Sequence, residues 1–401
     1  MVACPEDVAN SVLSIPKYCM ILGGIWTLAL PTQNRILNAI YKVYSMLVKI
    51  YLPTFLVSMY IRFGLTMTTE FSKKNPQDLF KYFGYVVSLS IAVFAAILCQ
   101  RTKVVQFITY VQEEEQKIGE TDDPDIHQCY SETLKFCRKF NIAVIAFMSN
   151  AAVGMTSENL TARFEIDKYN RQHNESMEKP FFYELYYFNL DKEKHSLFLL
   201  VMNCLFVLIN SSVVASTRML FMTSIIFISS ALSILQIKFE KSMNQQEKAL
   251  EITKMLVVEH QDVIRATKNL NECIKYLIFM EYLLNSLTLA TLAIIPLLTS
   301  KRSMSPVLAF GVIFTLIMVL GYSANEIQIQ SSSLADALYE CRWYEQNETT
   351  KKMLFTMLIR AQKPLGLTIG PFAMTIDSSL KIIKTSYSYK IYLSSQDLPL
   401  Y

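Results

Sequence analysis

The sequence predicts an all-α, polytopic membrane fold, and three observations carry that prediction. Hydrophobic residues fill 52% of the 401 positions and charged residues only 18%, a balance outside the norms of soluble domains. Uncharged stretches recur along the whole chain, each near the roughly 20 residues that a helix needs to cross a hydrocarbon core about 30 Å thick. Lysines and arginines are shared unevenly between the segments that join those stretches.

The elements follow in chain order. Residues 1–42 form a cytosolic segment in which Glu6 and Asp7 precede a short apolar run, 18–30. That run lacks the basic start of a secretory signal and is too short to span, so a membrane-grazing helix with Trp26 at the interface is expected. Spans are then expected at 43–67, 82–99, 140–157, 197–217, 276–300, 303–325 and 365–389, seven in all. The stretch 219–237 is also uncharged and follows Arg218 alone. A hairpin there would need a turn, and Ser216-Thr217-Arg218 offers neither Gly nor Pro. One long helix is therefore expected, its apolar end covered by protein, so that 43–237 holds spans one to four and the long outer loop 158–196.

Residues 238–275 form a cytosolic helical loop. Ala249, Ile252, Leu256, Glu259, Val263, Ala266, Leu270, Cys273 and Leu277 recur there at steps of three and four, the seam of a helix packed along other helices. Spans five and six fill 276–325, and 326–364 forms a cytosolic anchor whose last helix stops at Lys363-Pro364 because the residue before proline avoids helical angles. The apolar content of these cytosolic pieces exceeds what a monomer can cover, which predicts an oligomer. Residues 365–401 form the last span and a short outer tail.

Orientation follows from the basic residues, because cytoplasmic loops carry the excess. With the N-terminus inside, inner segments hold 21 Lys and Arg against 12 outside. No cysteine falls in an outer loop on that topology, which fits reduced thiols without a structural disulfide. Asn159 and Asn174 begin Asn-x-Ser/Thr sequons in the long outer loop and are glycosylation candidates.

Catalysis finds no support. His127, His173, His195 and His260 are scattered, and no H-x-x-x-H, G-x-S-x-G, C-x-x-C or phosphate-binding glycine loop occurs. No enzyme, metal or cofactor is implied, and no nucleic-acid partner. A G-protein-coupled receptor would need the opposite orientation; span three is followed by Glu158-Asn-Leu-Thr-Ala-Arg163 rather than an Asp-Arg-Tyr end, and the last span has no Asn-Pro-x-x-Tyr.

The polarity of the last span is informative, because ionisable groups at bilayer depth are costly unless they face protein or water. Asp377, Ser378, Lys381, Thr385 and Ser388 can share a broad helix face, the wall of an aqueous path. Asp377 and Lys381, spaced i, i+4 with the acid first, could instead pair locally. Lys384 is expected to turn away from such a path or to be offset by partner carboxylates, and Gly366, Gly370 and Pro371 to form a hinge.

Asn325-Glu326, Gln330-Ser-Ser-Ser-Leu-Ala-Asp-Ala-Leu-Tyr339, Trp343-Tyr344, Arg360-Ala-Gln-Lys-Pro364, Leu367-Thr368 and Lys384-Thr-Ser-Tyr-Ser-Tyr389 together resemble the insect odorant receptor family. The resemblance implies a ligand-gated, non-selective cation channel in the plasma membrane, a hetero-oligomer, in that family a tetramer, with the shared odorant co-receptor. The co-receptor carries a long insertion between spans four and five; here only 239–275 fill that place, which implies the odour-tuning subunit. The last span would line the pore, with its constriction near Ile391, Tyr392 and Ser395. A tyrosine there departs from the expected aliphatic residue. A small volatile ligand would bind in the outer half of the bundle, where this chain supplies Tyr82, Phe83, Tyr85 and Ser88 on span two, Phe147, Asn150 and Gly154 on span three, Met202 and Phe206 on span four, and Phe310 and Phe314 on span six. A gustatory receptor fits less well, since Ser388-Tyr389 is followed by Lys390 and two serines, and Gln396 by Asp397. A solute transporter would be expected to show inverted repeats, which are absent.

Overall fold

A computed structural model describes residues 11–28, 30, 34–73, 76–173, 177, 179, 181–183, 185–186, 190–192, 194–242, 249–298, 305–341 and 343–395. The chain is helical, in order α1 (Ser14–Leu22), α2 (Arg35–Lys73), α3 (Pro76–Leu98), α4 (Thr102–Gly119), α5 (Pro124–His173), α6 (Ser196–Ser242), α7 (Ala249–Leu298), α8 (Ser305–Glu340), α9 (Glu348–Ala361) and α10 (Ile376–Ser395). The strands among the described residues are β1 (Thr368–Ile369) and β2 (Phe372–Ala373). Two compact units divide it, one of residues 13–101 and 138–220, the other of 1–12, 102–137 and 221–401. Among the described residues α2, α5 and α6 are long and apolar enough to cross a membrane, and the bent α3–α4 pair offers a fourth crossing.

In the first unit the chain turns sharply after its first helix. Helix α1 stops at Gly23-Gly24, and Gly24 takes φ +68° with Val48 so near that a side-chain carbon would meet it at 3.0 Å. The chain then doubles back along α2: Ser45 Oγ donates to the Gly24 carbonyl (2.6 Å) and the Tyr41 hydroxyl to the Trp26 carbonyl (3.1 Å). Trp26 is buried, under the Lys17 ammonium. Helix α5 likewise runs past the expected loop start at 158, continuing to His173. In its C-terminal part the buried Arg163 donates to Ser196 Oγ (2.6 Å) and lies over the Phe181 ring at 4.7 Å. With the Lys179–Asp167 pair (2.6 Å), this folds the aromatic outer segment back onto α5 and α6.

The second unit is organised around the C-terminal half of α6. Phe227, Ile228, Leu232, Leu235 and Phe239 there are all but inaccessible, which explains why 219–237 carries no charge: its solvent is other helices. The single long helix expected across this stretch is what the chain forms. Helix α7 presents its seam inward, with Leu256, Val263, Leu270 and Leu277 buried at seven-residue intervals. The break at Glu259 is met by Lys238, whose ammonium lies 2.8 Å from its carboxylate. Asn347 caps α9 by accepting the Thr350 N–H (2.8 Å).

His260 is buried between α7 and α9. Burial, and then the Arg360 charge, push its imidazole down to about 4. The unfolded chain takes up that proton near the ordinary value of ~6.5, the folded chain only near 4, so stability present above pH ~6.5 is lost progressively as pH falls toward 4. The loss amounts to on the order of 3 kcal/mol. Melting of the detergent-solubilised protein should show this acid slope, and His260→Gln should flatten it.

The approach to α10 departs from the expected continuous span 365–389. Leu365, Leu367 and Ile369 are buried in alternation on the way into β1, and β1 pairs antiparallel with β2 across a turn at Gly370, φ +56°. Of the residues expected to hinge a helix, Gly370 and Pro371 form the turn of a hairpin instead, and Gly366 lies just before it. This segment is pinned by hydrogen bonds that include Leu365 N–H to Ser331 Oγ (2.9 Å), Thr368 N–H to Asn271 Oδ1 (2.8 Å) and Gly370 N–H to the Lys275 carbonyl (3.1 Å). Helix α10 starts only at Ile376, and its 20 residues span about 30 Å.

Candidate functional site

Helix α10 has two unlike faces. Ser379 is fully buried; its hydroxyl lies 3.0 Å from the Tyr282 hydroxyl on α7 and donates to the Ile317 carbonyl on α8 (3.3 Å). Gly321 on α8 makes room for it, since a side-chain carbon there would lie 2.2 Å from Ser379 Oγ. One side of α10 is thereby seated on α7 and α8.

The other side carries the expected polar residues. Asp377, Lys381, Lys384, Thr385 and Ser388 are all exposed, and at 100° per residue they fall within about 100° of arc, opposite Ser379. Thr385 and Ser388 fold their hydroxyls back onto the carbonyls of Lys381 (2.8 Å) and Lys384 (3.0 Å), which satisfies them without a partner. Ser378 leaves this face for the cap of α10: its N–H donates to Thr375 Oγ1 (3.3 Å) and its hydroxyl to the Ala373 carbonyl (2.5 Å). The local Asp377–Lys381 pair does not form, so these charges point outward uncompensated within the described residues. Lys384, expected to turn away or to be offset by partner carboxylates, stands on the same stripe. The side chains of Ile391, Tyr392 and Ser395 lie outside the described residues.

The residues expected to meet a ligand are only partly brought together. In the first unit Phe206 is fully buried, stacked on Phe55 (centroids 4.2 Å, 8°), edge-on to Tyr183 (5.3 Å) and near Tyr51 (6.1 Å). Half-buried Met202 accepts the Tyr51 hydroxyl on its carbonyl (2.7 Å), and the buried Asn203 accepts the Tyr183 N–H (3.2 Å). Ala152, Phe182 and Val207 pack beside Tyr183 and Cys204. Phe206 is thus a core residue of an aromatic cluster that the outer segment closes.

Phe147, Asn150 and Gly154 share another face of α5 by helical spacing; Phe147 is half-buried, Asn150 exposed, and open space lies beside Gly154. The side chains of Tyr82, Phe83, Tyr85, Ser88 and Phe310 lie outside the described residues, and Phe314 is exposed. Asn159 sits inside α5 with its amide oxygen buried, not in the surface loop a glycan acceptor requires; Asn174 is outside the described residues.

Sequence reading missed Tyr282, Gly321 and the inward role of Ser379. The helical register set by Asp377 and Lys381 was the available signal for Ser379, since it places that serine on the opposite side. Tyr282 and Gly321 carry none, because their roles arise only when α7, α8 and α10 meet.

A sequence profile of the family described as 7tm Odorant receptor matches residues 90–387. Odorant receptor 10 of Aedes albopictus is 29% identical over 137 residues, 33% of this chain and 36% of that protein. Odorant receptor 30a of Drosophila melanogaster is 35% identical over 78 residues, 19% of this chain and 21% of that protein. The aligned part therefore spans little more than a third of these relatives at most. The insect olfactory receptor OR5 from Machilis hrabei, solved in complex with eugenol, is similar in structure with a TM-score of 0.74 at 15% identity, over 96% of this chain and 97% of that one, a likeness of fold.

Proposed function

This chain belongs to the 7tm odorant receptor family, and on that premise we propose that it is the odour-tuning subunit of a ligand-gated, non-selective cation channel. It crosses the plasma membrane seven times with its N-terminus in the cytosol and assembles with the odorant co-receptor as a hetero-tetramer. A small volatile molecule binds in the outer half of the membrane helices, and α10 lines the pore that opens.

The observation that carries this reading is the two-faced α10. A helix that buries one side against α7 and α8 while leaving Asp377, Lys381, Lys384, Thr385 and Ser388 exposed needs water, not lipid, on its free side. Assembly has separate support in the 238–275 and 326–364 segments. Met255, Val258, Phe355 and Ile359 on α7 and α9 are about half exposed, and a groove of about 590 Å³ runs between these helices past Val257, Ile264, Met353 and Met357. Apolar surface of that extent outside the membrane marks a subunit interface. For the ligand, the free face of Phe147, Asn150 and Gly154 offers an aromatic wall with one amide, the balance that small-molecule sites use.

Co-expression with the co-receptor tests the proposal. Odour-evoked cation currents are expected for some member of a broad volatile panel. Silence across the panel, with the protein demonstrably at the cell surface, would overturn it. Flux without channel-like conductance would favour a transporter instead.

A further inference from the structure

We infer that Lys381 and Lys384 give this chain a charge filter within the assembled pore, one that lowers the permeability of divalent cations relative to monovalent ones without excluding them. The inference rests on the reading of α10 as a pore wall and adds what its charges do there. The exposed stripe carries one carboxylate, Asp377, and two ammonium groups, Lys381 and Lys384, so its net charge is positive. Neither lysine has an ion-pair partner among the described residues; the nearest acid by helical spacing, Asp377, is left unpaired. Neither can retreat into the protein, because the opposite side of α10 is occupied by the Ser379–Tyr282–Ile317 contact and the close approach of Gly321.

A divalent ion feels twice the repulsion that a monovalent ion feels from the same fixed charge. At the ~8 Å over which fixed charges act in physiological salt, each lysine therefore favours the monovalent ion by roughly twofold. Thr385 and Ser388 do not offset this, since their hydroxyl hydrogens are committed to backbone carbonyls and water remains free to hydrate the passing ion. The lysines set the charge discrimination, and Asp377 moderates it.

The test is the ratio of calcium to sodium permeability, from reversal potentials of the odour-gated current in cells expressing this chain with the co-receptor. Lys381→Gln and Lys384→Gln should each raise the ratio about twofold, Lys384→Glu should raise it further, Asp377→Asn should lower it, and Lys384→Arg should leave it unchanged. In the unmodified channel, raising ionic strength should raise the ratio as the fixed charges are screened. If conductance changes in the lysine variants while the ratio does not, the filter is refuted and the pore wall stands. If neither conductance nor ratio moves in any variant, α10 does not face the ions and the pore-wall reading falls with it. A ratio in the unmodified channel that ignores ionic strength refutes the filter without any variant.

Discussion

Gly321→Ala is expected to reduce the odour-evoked current about tenfold or more while leaving the protein at the cell surface. The added methyl would lie 2.2 Å from Ser379 Oγ, 3.0 Å from its Cβ and 3.2 Å from the Thr375 carbonyl. The hydroxyl could rotate, but it would then give up the Tyr282 contact and the Ile317 carbonyl and be buried unsatisfied. The Cβ cannot move without α10. Overpacking of this kind costs roughly 1–3 kcal/mol, and each 1.4 kcal/mol is about tenfold in the population of the packed arrangement. The double variant Gly321→Ala/Ser379→Gly removes both nearest atoms and leaves only the 3.2 Å approach to backbone, so it should recover most of the response. A wild-type response from the single variant, or no recovery in the double, would show that the α8–α10 contact does not control opening.

That contact shows where sequence reading succeeds and where it stops. The single run of α6 was legible because a negative could be read directly: neither Gly nor Pro lies between Val213 and Met219. The α7 seam was legible because its spacing is a property of one helix, and its one flaw, Glu259, is repaired by Lys238 from another. The polar stripe of α10 was legible for the same reason, since charge at bilayer depth announces itself residue by residue. The hairpin before α10 was not, because Gly366, Gly370 and Pro371 serve a bend in a helix or a turn between strands equally well. The alternation of Leu365, Leu367 and Ile369 was the strand signal, outweighed by the apolar content of the longer window. The burial of Trp26 and the extension of α5 to His173 were not legible for a different cause: the hydrogen bonds from Tyr41 and Ser45, and the Arg163–Ser196 and Arg163–Phe181 contacts, join segments far apart in sequence, and no local pattern encodes them.

Phe206→Ala should cost the first unit about 3 kcal/mol. Truncating a buried phenylalanine costs roughly 3–5 kcal/mol in aqueous proteins, part of it the return of apolar area to water. For a helix in lipid that part is small, because hydrocarbon is as apolar as the core; what remains is the cavity and the lost dispersion contacts with Phe55, Tyr183 and Tyr51. The low end of the range therefore applies. Phe206→Leu, which keeps most of the volume, should cost about 1 kcal/mol, and Phe55→Ala should resemble Phe206→Ala without adding fully to it, because the stacked rings share one cavity. Thermal melting in detergent reads these differences, and odour tuning reads the alternative. If Phe206→Leu leaves the melting temperature alone but changes which volatiles evoke current, Phe206 lines the ligand site despite its burial. If melting falls and tuning holds, the ring is a packed core residue and not a wall of the ligand site.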